Sequence, residues 1–210
     1  MRKILLSSLA LSVCALILTP GAFAKRKKTQ EKPKKHIVLL NISGTLEKET
    51  MERLQKYAGK ELCVKTDIAV LEIDKNVTIE KCAKNIAKKN EYTSPIVISF
   101  HFTPADEEHI CILTNQQVAV VNTARLKIAD KEKYERRLER MLMRSAATLV
   151  GIGFDPDPHC VMHSYKNIED LDRMGRNFSP PWQDKFKRAA VKIGMEMIPV
   201  KPPNLKKCGD

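Results

Sequence analysis

The sequence has 210 residues and a formal net charge of +12 at pH 7, and 43% of its residues are hydrophobic. This length fits one domain with its own hydrophobic core. Aromatic residues make up only 5% and are not interleaved with the lysines, which excludes a base-stacking platform for nucleic acid.

The first 24 residues have the pattern of a secretory signal peptide. Two basic residues precede an apolar run over residues 4–18, and the sequence TPGAFA then ends in an A-x-A cleavage site. The run is short for a membrane span and its far end contains Pro and Gly, so we expect cleavage rather than anchoring. The sequence therefore predicts an exported protein, periplasmic or secreted, with no transmembrane segment after cleavage.

Residues 25–35, KRKKTQEKPKK, form a basic arm that contains Pro and lacks apolar side chains. Such a segment is predicted to be disordered. Its charge has two interpretations, which are a solvated tail or electrostatic binding to an anionic envelope component. The sequence predicts no specific nucleic acid, and the partner remains open between a protein, a peptide and such an anionic component.

Five cysteines remain once the signal peptide is removed with Cys14. They are scattered without a C-x-x-C pair, although an exported chain could form disulfides. An odd number leaves at least one thiol free or bonded to another chain, and the spacing does not select a pairing. These residues are Cys63, Cys82, Cys111, Cys160 and Cys208.

From residue 36 apolar runs alternate with amphipathic segments, which predicts a single mixed α/β (α+β) domain over residues 36–200. Thr45 is the predicted N-cap of the first helix. The last three strands follow each other closely, which predicts a hairpin or a meander. The predicted strands are 36–42, 63–73, 95–102, 109–114 and 117–123; the predicted helices are 46–57, 78–88, 131–150, 168–174 and 181–193, with an irregular tail at 201–210.

The longest predicted helix, 131–150, carries a basic stripe at positions i, i+4, i+7 and i+11. One interpretation is a solvated helix face, supported by pairs such as Glu132 with Arg136. The other is a binding site in which guanidinium groups hold a peptide C-terminus or another anion. The stripe consists of Lys133, Arg137, Arg140 and Arg144, and the three arginines are the candidate binding residues.

The segment after this helix, GIGFDPDPHCVMHS, begins with a glycine where a helix end requires a left-handed residue. Gly151 is followed after a fixed interval by Cys160 and Met162 in a C-x-M pattern. This frame resembles the archaemetzincins, whose helix carries H-E-x-x-H-x-x-G-x-x-H before a Met-turn. Gly151 matches the glycine of that motif, and Met162 matches the Met-turn methionine. The resemblance covers roughly residues 95–190 and implies a metzincin-like domain with an active-site-type helix.

In that family two helix histidines and a third histidine bind the catalytic zinc, the glutamate is the general base, and four cysteines bind a structural zinc. Here Arg144 offers only donors, Ser145 cannot act as a base near neutral pH, and Phe154 has no lone pair. The resemblance therefore implies a degenerate member, a pseudopeptidase for which no cofactor is expected. The matching positions are Arg144, Ser145, Thr148 and Phe154 at the catalytic site, and Asp155, Cys160, Ser179 and Trp182 at the structural site, where only Cys160 keeps the family's residue.

A second group of residues has the side-chain types that bind metals. Asp155, His159, Cys160 and His163 lie within nine residues of one another. His159 and His163 would share a face only in a helix, and Pro158 argues against a helix. The alternatives are a surface loop packed on Met162 and a relocated zinc site.

The combined pattern predicts an exported, non-catalytic protein of archaemetzincin type that acts as a binding or structural module. One alternative is a zinc-dependent metallopeptidase with relocated ligands. The other is a basic protein that binds an envelope surface or another polyanion.

Overall fold

Apolar strands and amphipathic helices alternate in the computed structural model, which describes residues 35–74, 76–90 and 96–199. The strands are β1 (Ile37–Ile42), β2 (Thr66–Leu71), β3 (Ile96–His101), β4 (Ile110–Leu113) and β5 (Val118–Asn122). The helices are α1 (Lys48–Leu62), α2 (Ile79–Asn90), α3 (Thr123–Leu126), α4 (Lys131–Leu149), α5 (Ile168–Arg173) and α6 (Pro180–Lys192), with a 3-10 turn at Thr114–Gln116.

The predicted signal peptide and the tail at 201–210 lie outside the described residues, as does the basic arm up to residue 34. Lys35, the last residue of the predicted arm, is described, and its N–H donates to the Gly194 carbonyl at 2.9 Å. In the described part of the chain no helix is long and apolar enough to cross a membrane.

The five strands form one sheet in the order β2-β1-β3-β5-β4. Four strands are parallel, and β4 alone runs antiparallel to its neighbour β5. The predicted hairpin is therefore confirmed for β4 and β5, but the predicted meander is wrong because β3 pairs with β5. Every residue of β3 is buried, whereas β4 is only half-buried, so packing favours β3 inside the sheet and β4 at its edge.

Both faces of the sheet are covered, because alternate residues of each strand point to opposite sides. In β1, Ile37 and Leu39 face the larger core with α1, α4 and α6, while Leu40 and Ile42 face the smaller core under α2. This arrangement fixes α4 against the sheet and presents its C-terminal turn to the segment that follows it.

Helix α1 begins later and ends later than the sequence predicts. Its N-cap is Glu47, and the predicted N-cap Thr45 instead donates its hydroxyl to the Ile42 carbonyl at 2.6 Å. The helix continues to Leu62 because Ala58 and Leu62 extend its buried stripe. Cys63 then ends it in the left-handed conformation, with φ of 53°.

Among the described residues, four cysteines are present and none forms a disulfide. Cys82 and Cys160 are fully buried, and Cys63 is nearly so. Burial raises the pKa of the Cys82 thiol to about 11, and the neighbouring Cys111 adds to that effect. The Cys82 thiol is therefore protonated near neutral pH.

An ion cluster joins α1 to α4. Arg53 pairs with Glu135 and, at 3.1 Å, with Glu139. Arg176 binds the second oxygen of Glu139 at 3.1 Å. The Glu139 side chain is only 3% exposed, so both of its carboxylate oxygens depend on these two arginines.

Replacing Glu139 with Gln should lower the free energy of unfolding by roughly 1–3 kcal/mol, because two guanidinium groups lose their shared carboxylate. Glu132→Gln is the matched control, since Glu132 pairs with Arg136 on the exposed side of the same helix and should lose less than about 1 kcal/mol. Urea unfolding measures both variants. Equal losses in the two would show that the buried cluster contributes no more than a surface pair.

Candidate functional site

The C-terminal end of α4 turns sharply through a glycine. Gly151 has φ of 85°, a left-handed conformation that glycine adopts without steric cost. Its N–H donates to the Thr148 carbonyl at 3.0 Å, and the Ile152 N–H donates to the Ala147 carbonyl at 2.9 Å. The chain therefore reverses here and brings residues 152–163 back along the last turns of α4.

Arg144 lies where the resemblance places the first zinc-binding histidine, and it is only 7% exposed. Its Nη1 donates to two backbone carbonyls, Val161 at 2.6 Å and His163 at 2.7 Å. These residues flank Met162, which is itself buried. A single guanidinium nitrogen thus ties α4 to the turn that contains Met162.

The Arg144 guanidinium also lies between two aromatic rings. Its carbon is 4.7 Å from the ring centre of Tyr165 and 5.6 Å from that of Phe154. Both distances allow cation–π attraction, which is stronger where water is excluded. Burial lowers the pKa of Arg144, with Tyr165 opposing that change, and burial raises the pKa of Tyr165. The guanidinium remains charged, because an arginine starts from a pKa far above neutral.

Arg137 and Arg140 are also buried, whereas the Lys133 side chain is half-exposed, so the predicted solvated helix face is wrong for the three arginines of the stripe. Arg137 forms a two-point pair with Asp172, at 2.8 and 2.6 Å. Arg140 donates to the carbonyls of Met174, at 2.8 Å, and Asp172, at 3.1 Å. Lys133 reaches the same Asp172 carboxylate at 3.0 Å. The stripe therefore connects α4 to α5 and to the residue after it.

Ser145 and Thr148 occupy the positions of the general base and the second histidine in the resemblance. The Ser145 hydroxyl is fully buried and donates to the Met141 carbonyl at 2.7 Å, within the helix. Thr148 is partly exposed. A serine or threonine hydroxyl is too weakly basic to take a proton from water near neutral pH, so this pair supplies no general base.

Three of the four residues at the structural-zinc positions, Asp155, Cys160 and Ser179, form a hydrogen-bonded cluster, and the fourth, Trp182, binds the backbone nearby. Ser179 donates its hydroxyl to the Asp155 carboxylate, and its N–H donates to Cys160 Sγ at 3.3 Å. Trp182 donates its indole N–H to the Gly153 carbonyl at 3.0 Å. Asp155 and Ser179 are buried and Cys160 is completely so. Direct hydrogen bonds thus join the segments that a metal joins in the family the sequence resembles.

The same contacts shift the pKa values of Asp155 and Cys160. Burial would raise the pKa of Asp155, but the Ser179 hydroxyl and the Asp157 N–H hold it below its usual value. Burial raises the pKa of the Cys160 thiol. One thiol and one carboxylate are too few ligands for a four-coordinate structural zinc ion.

The two histidines proposed for a relocated site do not share a helix face. Residues 155–164 form turns rather than a helix. The ring nitrogen Nδ1 of His163 lies 3.1 Å from the Asp155 carbonyl oxygen. The backbone N–H of His159 donates to the Asp157 carboxylate at 2.8 Å. Across residues 35–74, 76–90 and 96–199, no three His, Cys, Asp or Glu side chains converge in a way that could hold a metal ion.

Two residues of this site, Tyr165 and Asp172, are absent from the sequence prediction. Asp172 is 35 positions from its partner Arg137, and Tyr165 follows the turn that Arg144 holds. An isolated Tyr or Asp in a loop or short helix carries no periodic signal. Their roles depend on the path of the chain after Gly151, which the spacing of residues alone does not determine.

Three solved structures have a fold similar to that of this chain. An archaemetzincin from Methanopyrus kandleri matches with a TM-score of 0.60 and 19% identity, over 75% of this chain and 96% of that one. A zinc-dependent peptidase from Methanocorpusculum labreanum matches with 0.59 and 14%, over 71% and 99%. An archaemetzincin from Archaeoglobus fulgidus, complexed with malonate, matches with 0.56 and 16%, over 71% and 98%.

No protein-family model and no curated protein sequence matches the chain. At these identities the structural likeness establishes the fold. The chain has the α/β fold of the archaemetzincins, and the fold predicted from Gly151, Cys160 and Met162 is confirmed.

Replacing Arg144 with Ala should lower the free energy of unfolding by about 2–4 kcal/mol, because two buried carbonyls lose their donor and two rings lose their cation. Arg144→Lys should fall between the wild type and Ala, since an ammonium keeps the charge but not the planar geometry. Arg136→Ala, on the exposed side of α4, is the control and should lose less than about 1 kcal/mol. Equal effects of Arg144→Ala and Arg136→Ala on urea unfolding would contradict this assignment.

Asp172 makes the stability of the fold depend on pH. Burial would raise its pKa, but Arg137 and Lys133 hold it below the usual value. The resulting stabilisation is complete above the unfolded pKa of about 3.9 and is lost as the pH falls through the lower folded pKa. Asp172→Asn should therefore lower stability at pH 7 and reduce the loss of stability below pH 4 (roughly the unfolded pKa).

Asp184→Asn is the control for this pH dependence, because Asp184 is exposed on α6. Chemical unfolding of both variants and the wild type across the acid range measures the effect. A wild-type-like acid profile for Asp172→Asn would refute the role of this carboxylate.

Proposed function

We propose that this chain is an exported, non-catalytic protein with the archaemetzincin fold, acting as a binding or structural module. The observation that carries the proposal is the position of Arg144. Its guanidinium donates to the carbonyls of Val161 and His163, and it does so where the resemblance expects the first zinc ligand.

The residues at the catalytic positions do not fit a zinc ion. A cation placed beside Arg144 would meet a buried positive charge that is held between two aromatic rings. Phe154 offers no lone pair, and Ser145 is committed to the Met141 carbonyl. These residues therefore supply neither a zinc ligand nor a general base for hydrolysis.

A binding role is supported by the surface beside Arg144. Phe154 is 67% exposed although its ring lies against the guanidinium. A cavity of about 560 Å³ adjoins the same turn, and its lining combines aromatic, imidazole and basic groups with one carboxylate, that of Asp170, 3.6 Å from Arg173. Exposed aromatic rings next to basic side chains suit an acidic or aromatic segment of a peptide or protein. The lining includes His159, His163, Tyr165, Lys166 and Arg173.

Export rests on the sequence of residues 1–24, and the polyanion-binding alternative rests on residues 25–35 and the net charge of +12. Both remain predictions. The relocated-ligand alternative requires Asp155, His159, Cys160 and His163 to share a metal, although His163 Nδ1 already lies beside the Asp155 carbonyl.

The decisive experiment is metal analysis of the exported protein, purified without a metal-binding tag, equilibrated with zinc and then dialysed. Its intact mass should equal that of a chain that begins at Lys25. We expect far less than one zinc per chain, and no peptide hydrolysis that a chelator abolishes. About one zinc per chain together with chelator-sensitive hydrolysis would overturn the proposal. Loss of that zinc in His159→Ala or His163→Ala would then identify the relocated ligands.

A further inference from the structure

A second cavity lies at the other end of α4, away from the candidate site. Its lining includes Thr45 and Leu46 after β1, Phe102 after β3, and Thr123 after β5. These three strands are parallel, so the cavity lies at their carboxyl ends. It lies about 20 Å along the helix axis from Arg144, at a rise of about 1.5 Å per residue.

This place is the topological switch point of the sheet. From β1 the chain goes through α1 to β2 on one side, and β3 lies on the other side of β1. Helix α1 packs in the larger core and α2 in the smaller core, on opposite faces. In open α/β sheets, ligands bind outside the carboxyl ends of the strands at this point.

The lining contains two lysines and two glutamates, and one of the lysines has no acidic partner among the described residues. Lys127 is exposed and forms no ion pair with another described residue; its ammonium lies 5.8 Å from the Phe102 ring centre. Lys131 is 3.7 Å from Glu47, and both side chains are more than 70% exposed, so this pair is weak. Glu135, the other acid of the lining, is already paired with Arg53.

A buried hydroxyl also lines the cavity. Thr50 is 7% exposed, and its hydroxyl makes no hydrogen bond to another residue in the described part of the chain. Thr50 lies in the first turn of α1, whose N-cap residue Glu47 makes no side-chain hydrogen bond to the helix. The first N–H groups of this 15-residue helix therefore lack a side-chain acceptor from Glu47; the helix dipole favours an anion there, and Glu49 already places one carboxylate in the first turn.

We propose that this cavity, the switch-point pocket, binds a small phosphate ester. Lys127 and Lys131, the Thr50 hydroxyl and the first turn of α1 supply donors from several directions, which suits a tetrahedral anion better than a flat carboxylate. The volume of about 270 Å³ limits the ligand to a phosphate group with a short organic part. Leu46, Phe102 and Ile128 provide an apolar surface for that part.

Isothermal titration calorimetry of the full chain with inorganic phosphate tests the pocket, with acetate and chloride at equal ionic strength for comparison. Phosphate should bind and the other two anions should not. Lys127→Ala should weaken phosphate binding by about tenfold, because a charged donor is lost. Thr50→Val keeps the side-chain volume and should weaken binding by about fivefold through the lost hydroxyl.

Lys56→Ala is the matched control, since Lys56 is exposed in the middle of α1 and its loss changes the net charge equally. It should leave phosphate affinity within about twofold of the wild type. Equal weakening by Lys56→Ala and Lys127→Ala would show that only net charge matters and would overturn the proposal. No phosphate binding up to about 10 mM, or equal binding of acetate, would also overturn it. These results are independent of the metal content that tests the proposed function.

Discussion

Three guanidinium groups lie in the contact between α4 and the segment that follows it, and each arginine is less than a tenth exposed. Removing such charges from water is costly unless every donor finds an acceptor. Arg137 has the Asp172 carboxylate, while Arg140 and Arg144 have backbone carbonyls. The position of α5, the turn at Met162 and the exposed ring of Phe154 all depend on this one contact. The site consequently consists largely of guanidinium N–H groups that donate to carbonyl oxygens, whereas a metal site consists of side-chain lone pairs directed at a cation.

The hydrogen-bonded cluster of Asp155, Cys160 and Ser179 applies the same principle a short distance away. It joins the turn after α4 to the start of α6, where Ser179 is the N-cap residue. Fixed donors and acceptors hold these segments together in the interior of the domain. The two clusters hold the segments around α4 together in a chain that shares its fold, at 14–19% identity, with two archaemetzincins and a zinc-dependent peptidase.

The sequence is sufficient for the features that depend on local periodicity and on spacing along the chain. It predicts α4 to within a residue, the glycine that ends it, and the archaemetzincin-type frame. The sequence-based prediction is wrong where the burial of a residue depends on a partner that is distant along the chain. Arginines at i, i+3 and i+7 have the pattern of a solvated face, but Asp172 and the carbonyls near Met162 make burial favourable. The predicted meander is wrong for a similar reason. The order of β3, β5 and β4 depends on which strand can be buried on both faces of the sheet. The switch-point pocket also depends on strand order, so no motif in the sequence indicates it.

The support that Arg144 gives to the turn around Met162 has an evolutionary consequence. In a zinc peptidase of this fold, a histidine at this position would serve the metal, whereas here the same position supports the turn around Met162. A single change from Arg to His would remove that support before the remaining ligands were present to bind a metal. Natural selection acts on stability at every step, so such a single change would be selected against before the other ligand positions changed. The contacts of Arg144 thus make a metal site harder to reach from this sequence by single substitutions than the fold alone would suggest.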